Sequence, residues 1–210
     1  MIENSELSNV SQITENIYLS GIFPLDENHH IIKNLGIKFI LSCVDRMYIS
    51  ETHNKIMTDN PDLTILYLPY NDLIDQNLWE KNKDTINIFK YTKNLKDFDD
   101  LKNQIQMYNN KSMIEIGYHF INDAISKKNK VLVHCMAGIS RSVSLVIYYF
   151  MKKYFWSYEQ AIYVVKYKRT IANPNCSFKN QLRLYQTKRD KFTREDANEI
   201  IKNAAVSYKV

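Results

Sequence analysis

The chain has only 3 cysteines, 4 glycines and 4 prolines in 210 residues, and each shortage removes a class of protein. So little Gly and Pro excludes collagen-like and low-complexity architectures. Cys43, Cys135 and Cys176 make neither a disulfide framework nor paired zinc ligands. A reducing, intracellular setting is expected, and a lone cysteine beside a histidine becomes a candidate nucleophile. Long apolar runs are also missing. The longest, Val143 to Met151, is interrupted by Ser144 and falls far short of the roughly 20 residues of a membrane span. The opening residues MIENSELSNV carry two Glu and no basic residue, so no secretory signal is expected. No myristoyl or prenyl signal stands at either end. No long block of like charge appears, so a net charge of +5 suits an anionic substrate better than nucleic acid or a membrane surface. His29-His30 and His53 have no ligand partners at metal spacing, so neither a metal nor a cofactor is expected.

What is present reads as one folded domain. Hydrophobic residues make up 45% and charged residues 24% of the chain, in the range of soluble globular proteins. Residues 38–44, 63–69 and 131–134 are β-branched or aromatic runs with few charges, as in strands covered on both faces. Asp26 to Leu35 reads as a helix stopped by Gly36. Met113 to Ile125 places its apolar residues three and four apart, one face inward. Ser157 with Gln160 forms a capping-box pattern that opens a helix through Lys168. Further helices are expected over 177–189 and 194–202. Strands followed by a helical half predict an α/β domain, a central mixed sheet flanked by helices. The core is expected over about 11–190 with a helical tail over 191–210. Residues 77–111 hold mixed charges, many Asn and scattered apolar positions, and read as an insertion.

The chemistry concentrates in Val131-Leu-Val-His-Cys-Met-Ala-Gly-Ile-Ser-Arg-Ser-Val143. A buried strand ends at His134-Cys135, a short loop follows, and Arg141 opens an apolar helix. A cysteine at such a loop sits in the positive field of unpaired helix N–H groups, which with Arg141 favours the thiolate. The amides of Met136, Ala137, Gly138, Ile139 and Ser140 can curl around a tetrahedral dianion, with Gly138 supplying backbone freedom. Arg141 can grip two phosphate oxygens bidentately. The result is a phosphate cradle with a nucleophile at its base.

The pattern His134-Cys-x-x-Gly-x-x-Arg-Ser142 resembles the signature of cysteine-dependent protein tyrosine phosphatases, and HCMAGISRS looks like the dual-specificity branch. The resemblance extends to Ile17-Tyr-Leu-Ser-Gly21, to Leu35-Gly-Ile-Lys-Phe-Ile-Leu41, and to Lys168-Arg-Thr-Ile-Ala-Asn-Pro-Asn175 with Phe178 and Gln181-Leu182. It implies a small single-domain phosphatase with a phosphoprotein substrate, a cysteinyl-phosphate intermediate and no metal. It implies a general acid just after the strand before the cysteine strand, which makes Asp72 the candidate and Asp75 the alternative. Asp97, Asp99 and Asp100, inside the insertion, are further alternatives. The spacing from Asp72 to Cys135 is about twice that of close relatives, and the insertion supplies the excess. By the same resemblance Ser142 helps the thiolate leave, His134 orients and tunes Cys135, and Asn175 and Phe178 are structural. Cys43 reads as a small buried residue, with an oxidative disulfide to Cys135 as the alternative.

Two other activities fit the same fold. Lipid-phosphatase relatives carry Lys inside the loop, where Met136 and Ile139 stand here. RNA 5′-phosphatase relatives favour His before the loop Gly and Asn before the Arg, where this chain has Ala137 and Ser140. A phosphoprotein-binding module without catalysis would typically lack the Cys, Arg or Asp, all present here. The sequence leaves a homodimer open.

Overall fold

A computed structural model describes residues 4–81, 87–90 and 111–207. The elements run α1 (Asn4–Leu7), β1 (Ser11–Gln12), β2 (Ile17–Ser20), α2 (Phe23–Glu27), α3 (Ile31–Leu35), β3 (Ile37–Ser42), α4 (Ser50–Asp59) and β4 (Thr64–Tyr67). They continue with β5 (Asn87–Lys90), α5 (Met113–Ser126), β6 (Lys130–His134), α6 (Arg141–Tyr154), α7 (Tyr158–Lys168) and α8 (Cys176–Ser207).

The strands form one mixed sheet in the order β1-β2-β6-β3-β4-β5. The four inner strands are parallel, and β1 and β5 close the edges antiparallel. β2 and β4 are buried at every residue and β6 at all but its first, which is why residues 63–69 and 131–134 read as continuous apolar runs rather than alternating ones. Helix α5 buries Met113, Ile114, Ile116, Phe120, Ile121 and Ala124, the face its spacing predicted. Helix α6 is buried from Ser142 through Met151 and is the central helix of its layer, packing on α5, α7 and α8. The capping box at Ser157 and Gln160 is formed in full, with both reciprocal hydrogen bonds.

Several boundaries differ from expectation for local reasons. The helix read over 26–35 is two short helices. Pro24 starts α2 early in its first turn, and the chain leaves helical geometry at Asn28 (φ −147°, ψ 85°). Gly36, at φ 68°, caps α3 as expected. β3 stops at Ser42 because its hydroxyl bonds the backbone of Val44 and turns the chain. β4 stops at Tyr67, two residues short of Pro69, which has no N–H for a ladder. The two C-terminal helices are one, α8, since no Gly or Pro interrupts 190–193. The insertion read over 77–111 contributes a strand, β5, with Thr64 opposite Lys90 and Tyr67 opposite Asn87. Its base is closed by a bridge between Lys81 and Ser112. Asp97, Asp99 and Asp100 lie outside the described residues.

Candidate active site

The segment from His134 to Arg141 leaves the C-terminal end of β6, between the parallel neighbours β2 and β3. That end of a parallel strand is where α/β folds place ligand sites, because the following helix presents its N-terminus there. Backbone bonds seat the segment on both neighbours. Cys43 N donates to His134 O at 2.8 Å, and Ile22 N donates to Met136 O at 2.9 Å.

The loop shape follows from where its carbonyls go. Ala137 O accepts from Arg169 Nη2 at 3.1 Å, Gly138 O from Arg169 Nε at 2.7 Å, and Ile139 O from Asn173 N at 2.8 Å. With Met136 O already held by Ile22, four successive carbonyls point outward into protein. Peptide planarity then turns the following N–H groups inward. One reaches the sulfur directly, Gly138 N to Cys135 Sγ at 3.2 Å. Gly138 has φ 67°, and a Cβ there would meet the Ser20 carbonyl carbon at 2.4 Å. Gly21 lies against the same loop, where a Cβ would meet Ala137 C and Met136 O at 2.9 Å. Two of the chain's four glycines thus sit where loop backbone crosses strand backbone.

Cys135 is buried, and its sulfur also accepts from Ser142 Oγ at 3.2 Å in the first turn of α6. Arg141 Nη1 donates to Tyr70 O at 3.1 Å, which fixes the guanidinium beside the loop. Its Nε is shielded from solvent, has no hydrogen-bond partner, and lies 3.8 Å from Asp72 Oδ2. Asp72 Oδ1 accepts from Ser140 Oγ at 2.6 Å and from Asn175 Nδ2 at 2.9 Å. One carboxylate oxygen is therefore clamped and the other faces the guanidinium. Asp75 is exposed three residues further on.

His134 and His53 form a buried edge-to-face pair with ring centroids 5.1 Å apart. Burial pushes His134 down to about 4, aided by Arg141 and opposed by its contact with the Cys135 backbone. His53 is also pushed well below its ordinary value, by burial and then by His134, and its Nδ1 lies 2.6 Å from Tyr67 Oη. Both rings are therefore neutral at pH 7. Cys43 is buried, and burial followed by the nearby Cys135 raises its thiol well above the ordinary value. Cys176 is exposed at the start of α8. A groove beside the loop is lined by Asp45, Met47, Tyr48, Pro69, Met136 and Arg141.

The structure brings Cys135, Arg141, Asp72, Ser142 and Ser140 together and adds contacts to two of the expected parts. The Ser140 hydroxyl is engaged by Asp72 and by Asn175 N at 3.0 Å, so only its backbone can serve an oxyanion. Asn175, expected as structural, also grips Asp72. Arg169 was not singled out, yet it is 1% exposed and spends its guanidinium on loop carbonyls and the N-terminal segment. The signal available was its place heading the Arg-x-x-x-x-Pro-Asn run. Gln181, from that same run, brackets the Asp72 loop: it donates to Gln76 O at 2.8 Å and accepts from Leu78 N at 2.9 Å.

Comparison with known proteins agrees with this geometry. Residues 25–188 match the family model described as the dual specificity phosphatase catalytic domain. The chain is 56% identical over 195 residues to a protein of Acanthamoeba polyphaga mimivirus named as a tyrosine-protein phosphatase, covering 93% of this chain and 92% of that one. It is 32% identical over 181 residues to the tyrosine-protein phosphatase yvh1 of Schizosaccharomyces pombe, covering 85% of this chain and 42% of that one. Among solved structures, the human tyrosine phosphatase-like serine/threonine/tyrosine-interacting protein matches with a TM-score of 0.59 at 21% identity, over 85% of this chain and 95% of that one, a likeness of fold. The loop after Cys135, the clamped carboxylate beside it and these matches agree: the chain belongs to the dual specificity phosphatase catalytic-domain family and is a cysteine-based protein phosphatase.

Proposed function

We propose that this phosphatase hydrolyses both phosphotyrosine and phosphoserine or phosphothreonine in protein substrates, through a cysteinyl-phosphate on Cys135. The Cys135 thiolate attacks phosphorus, and the amides of Met136 through Ser140 with Arg141 hold the three non-bridging oxygens. As the ester P–O bond breaks, Asp72 Oδ2 delivers its proton to the leaving oxygen. Asp72 then takes a proton from water, which attacks phosphorus and breaks the P–S bond. Ser142 donates to the departing sulfur, and inorganic phosphate leaves. His134 acts as a positioning residue that fixes the end of β6, since a buried neutral ring offers no proton at neutral pH.

The observation that carries this reading is the pair of opposed devices at one point. Cys135 Sγ is held by Gly138 N and Ser142 Oγ, and Asp72 is clamped with its free oxygen toward Arg141. We infer one phosphatase domain over 1–210 acting inside the cell, with 77–111 as an insertion. The single sheet and the closure at Lys81 and Ser112 support that organisation. Among the described residues no helix is long and apolar enough to cross a membrane. The test is metal-free phosphate release from phosphotyrosine peptide, phosphothreonine peptide, 5′-triphosphorylated RNA and a phosphoinositide, beside Cys135→Ser. Release from both peptides, abolished by the substitution, is expected; turnover confined to the RNA or the lipid overturns the proposal.

A further inference from the structure

His29 and His30 lie in the turn between α2 and α3, and the fold brings them a carboxylate from a distant helix. Asp59, the last residue of α4, places Oδ2 at 3.2 Å from His29 Nε2 and 2.9 Å from His30 Nδ1. All three ligand atoms lie within 4.8 Å of one another. Adjacent residues reach one point because they use different ring atoms, the remote Nε2 of His29 and the near Nδ1 of His30, with centroids 4.1 Å apart.

Two features make this more than a surface ion pair. Asp59 Oδ2 is shielded from solvent, yet neither imidazole contact has hydrogen-bond alignment. The carboxylate also ends a helix, at the negative pole of its dipole, and α4 has no basic residue in its last turn. A carboxylate so placed is stabilised by a cation at the point where the two imidazole nitrogens converge. Bonds of about 2.0–2.1 Å to a tetrahedral zinc ion put ligand atoms about 3.3 Å apart, close to both His–Asp distances. Two imidazoles and one carboxylate form a borderline donor set that selects Zn²⁺ and its late first-row neighbours over Mg²⁺ or Ca²⁺.

We propose that His29, His30 and Asp59 form a divalent zinc-class metal site, completed by water, that staples the α2–α3 turn to the end of α4. The site is separate from the phosphatase chemistry, and none of its three residues belongs to the phosphate loop. Bound metal stabilises the folded chain, because the unfolded chain does not hold the three ligands together.

The test titrates ZnCl₂ into the untagged full-length chain carrying Cys135→Ser and Cys176→Ser, so that neither the active-site thiol nor the exposed one competes. Calorimetry should give one ion per chain, and melting with excess zinc should raise Tm by about 5 °C or more relative to EDTA. Asp59→Asn and His30→Ala should each weaken binding at least about tenfold and remove the Tm rise. Both variants should melt cooperatively in EDTA and, in the unaltered cysteine background, keep phosphopeptide turnover. Co²⁺ should give visible d–d absorption without a thiolate charge-transfer band. No saturable zinc binding below about 100 μM, or binding unchanged by both substitutions, overturns the site and leaves a histidine–aspartate ion pair only.

Discussion

The buried histidine pair makes the fold sensitive to acid in a window that carboxylates do not share. His134 is held at about 4 in the folded chain against an ordinary value of 6.5. The unfolded chain therefore takes up a proton between those values and the folded chain does not. Stability is full above pH 6.5 and falls as pH drops toward 4. A difference of that size amounts to about 3 kcal/mol once both limits are passed, and about 2 kcal/mol is already lost at pH 5. His53 moves in the same direction from the same cause, and the partly buried His119 adds a smaller share. Against a total of about 5–15 kcal/mol for a domain, that is a large fraction. Glu6, Glu51 and Glu115 are lowered from 4.5, so their losses come below that value. Urea melts at pH 7.5 and pH 5 should show a midpoint drop of about 1 M, given a slope of about 2–3 kcal/mol/M. His53→Phe should shrink the drop by removing one of the two buried rings. A midpoint flat between pH 7.5 and 5 would refute the claim that the pair is buried and neutral.

Three further outcomes follow from the site geometry. Asp72→Asn should lower kcat on phosphotyrosine peptide by about 10²–10⁴ and much less on an aryl phosphate whose phenol leaves without a proton; equal losses on both would remove Asp72 as the acid. Ser142→Ala should slow breakdown of the cysteinyl-phosphate more than its formation, visible as a larger pre-steady-state burst of phenol. Gly138→Ala forces a Cβ to within 2.4 Å of the Ser20 carbonyl carbon at a positive φ, so a loss of about 1–3 kcal/mol in thermal or urea stability is expected together with most of the turnover.

Legibility in the sequence tracked how local each contact is. Cys135, the loop and Arg141 are contiguous, so one strand-loop-helix pattern pointed to them together. Three of the four inner strands, β3, β4 and β6, were legible as apolar runs with few charges, whereas β2 entered only through the resemblance of Ile17 to Gly21. The weak edge strand β5 was not, since Asn87 to Lys90 carries no such run. Asp72 was identified by resemblance alone, because a single Asp after a strand has no chemical signature of its own. Its clamp by Asn175 joins positions 103 residues apart. The same holds for His134 and His53, which only the packing of α4 against the sheet makes neighbours. Asp59 is likewise an unremarkable helix end until the α2–α3 turn folds over it.

Arg169 is the contact through which distant parts reach the loop, and its substitution separates loop shape from mere stability. Its guanidinium holds Ala137 O and Gly138 O on one side, and Glu6 O, Asn9 O and Ser11 Oγ on the other, at distances of 2.7 to 3.2 Å. Burial lowers its affinity for the proton, and the nearby Cys135 and Glu6 oppose that change. Arg169→Met fills the space but leaves all five oxygens without this donor, at about 1–3 kcal/mol for each that stays buried, as Gly138 O does. Two of them are the carbonyls whose outward turn aims amides at the sulfur, so the loop itself should relax. Affinity for vanadate, read by competition against aryl phosphate, should fall at least about tenfold at a temperature where the variant is fully folded. Arg169→Lys, which keeps the charge but not the fork, should recover stability better than vanadate affinity. Vanadate affinity unchanged in a destabilised Arg169→Met chain would mean that the loop holds its shape unaided and that Arg169 serves only to fasten the N-terminal segment.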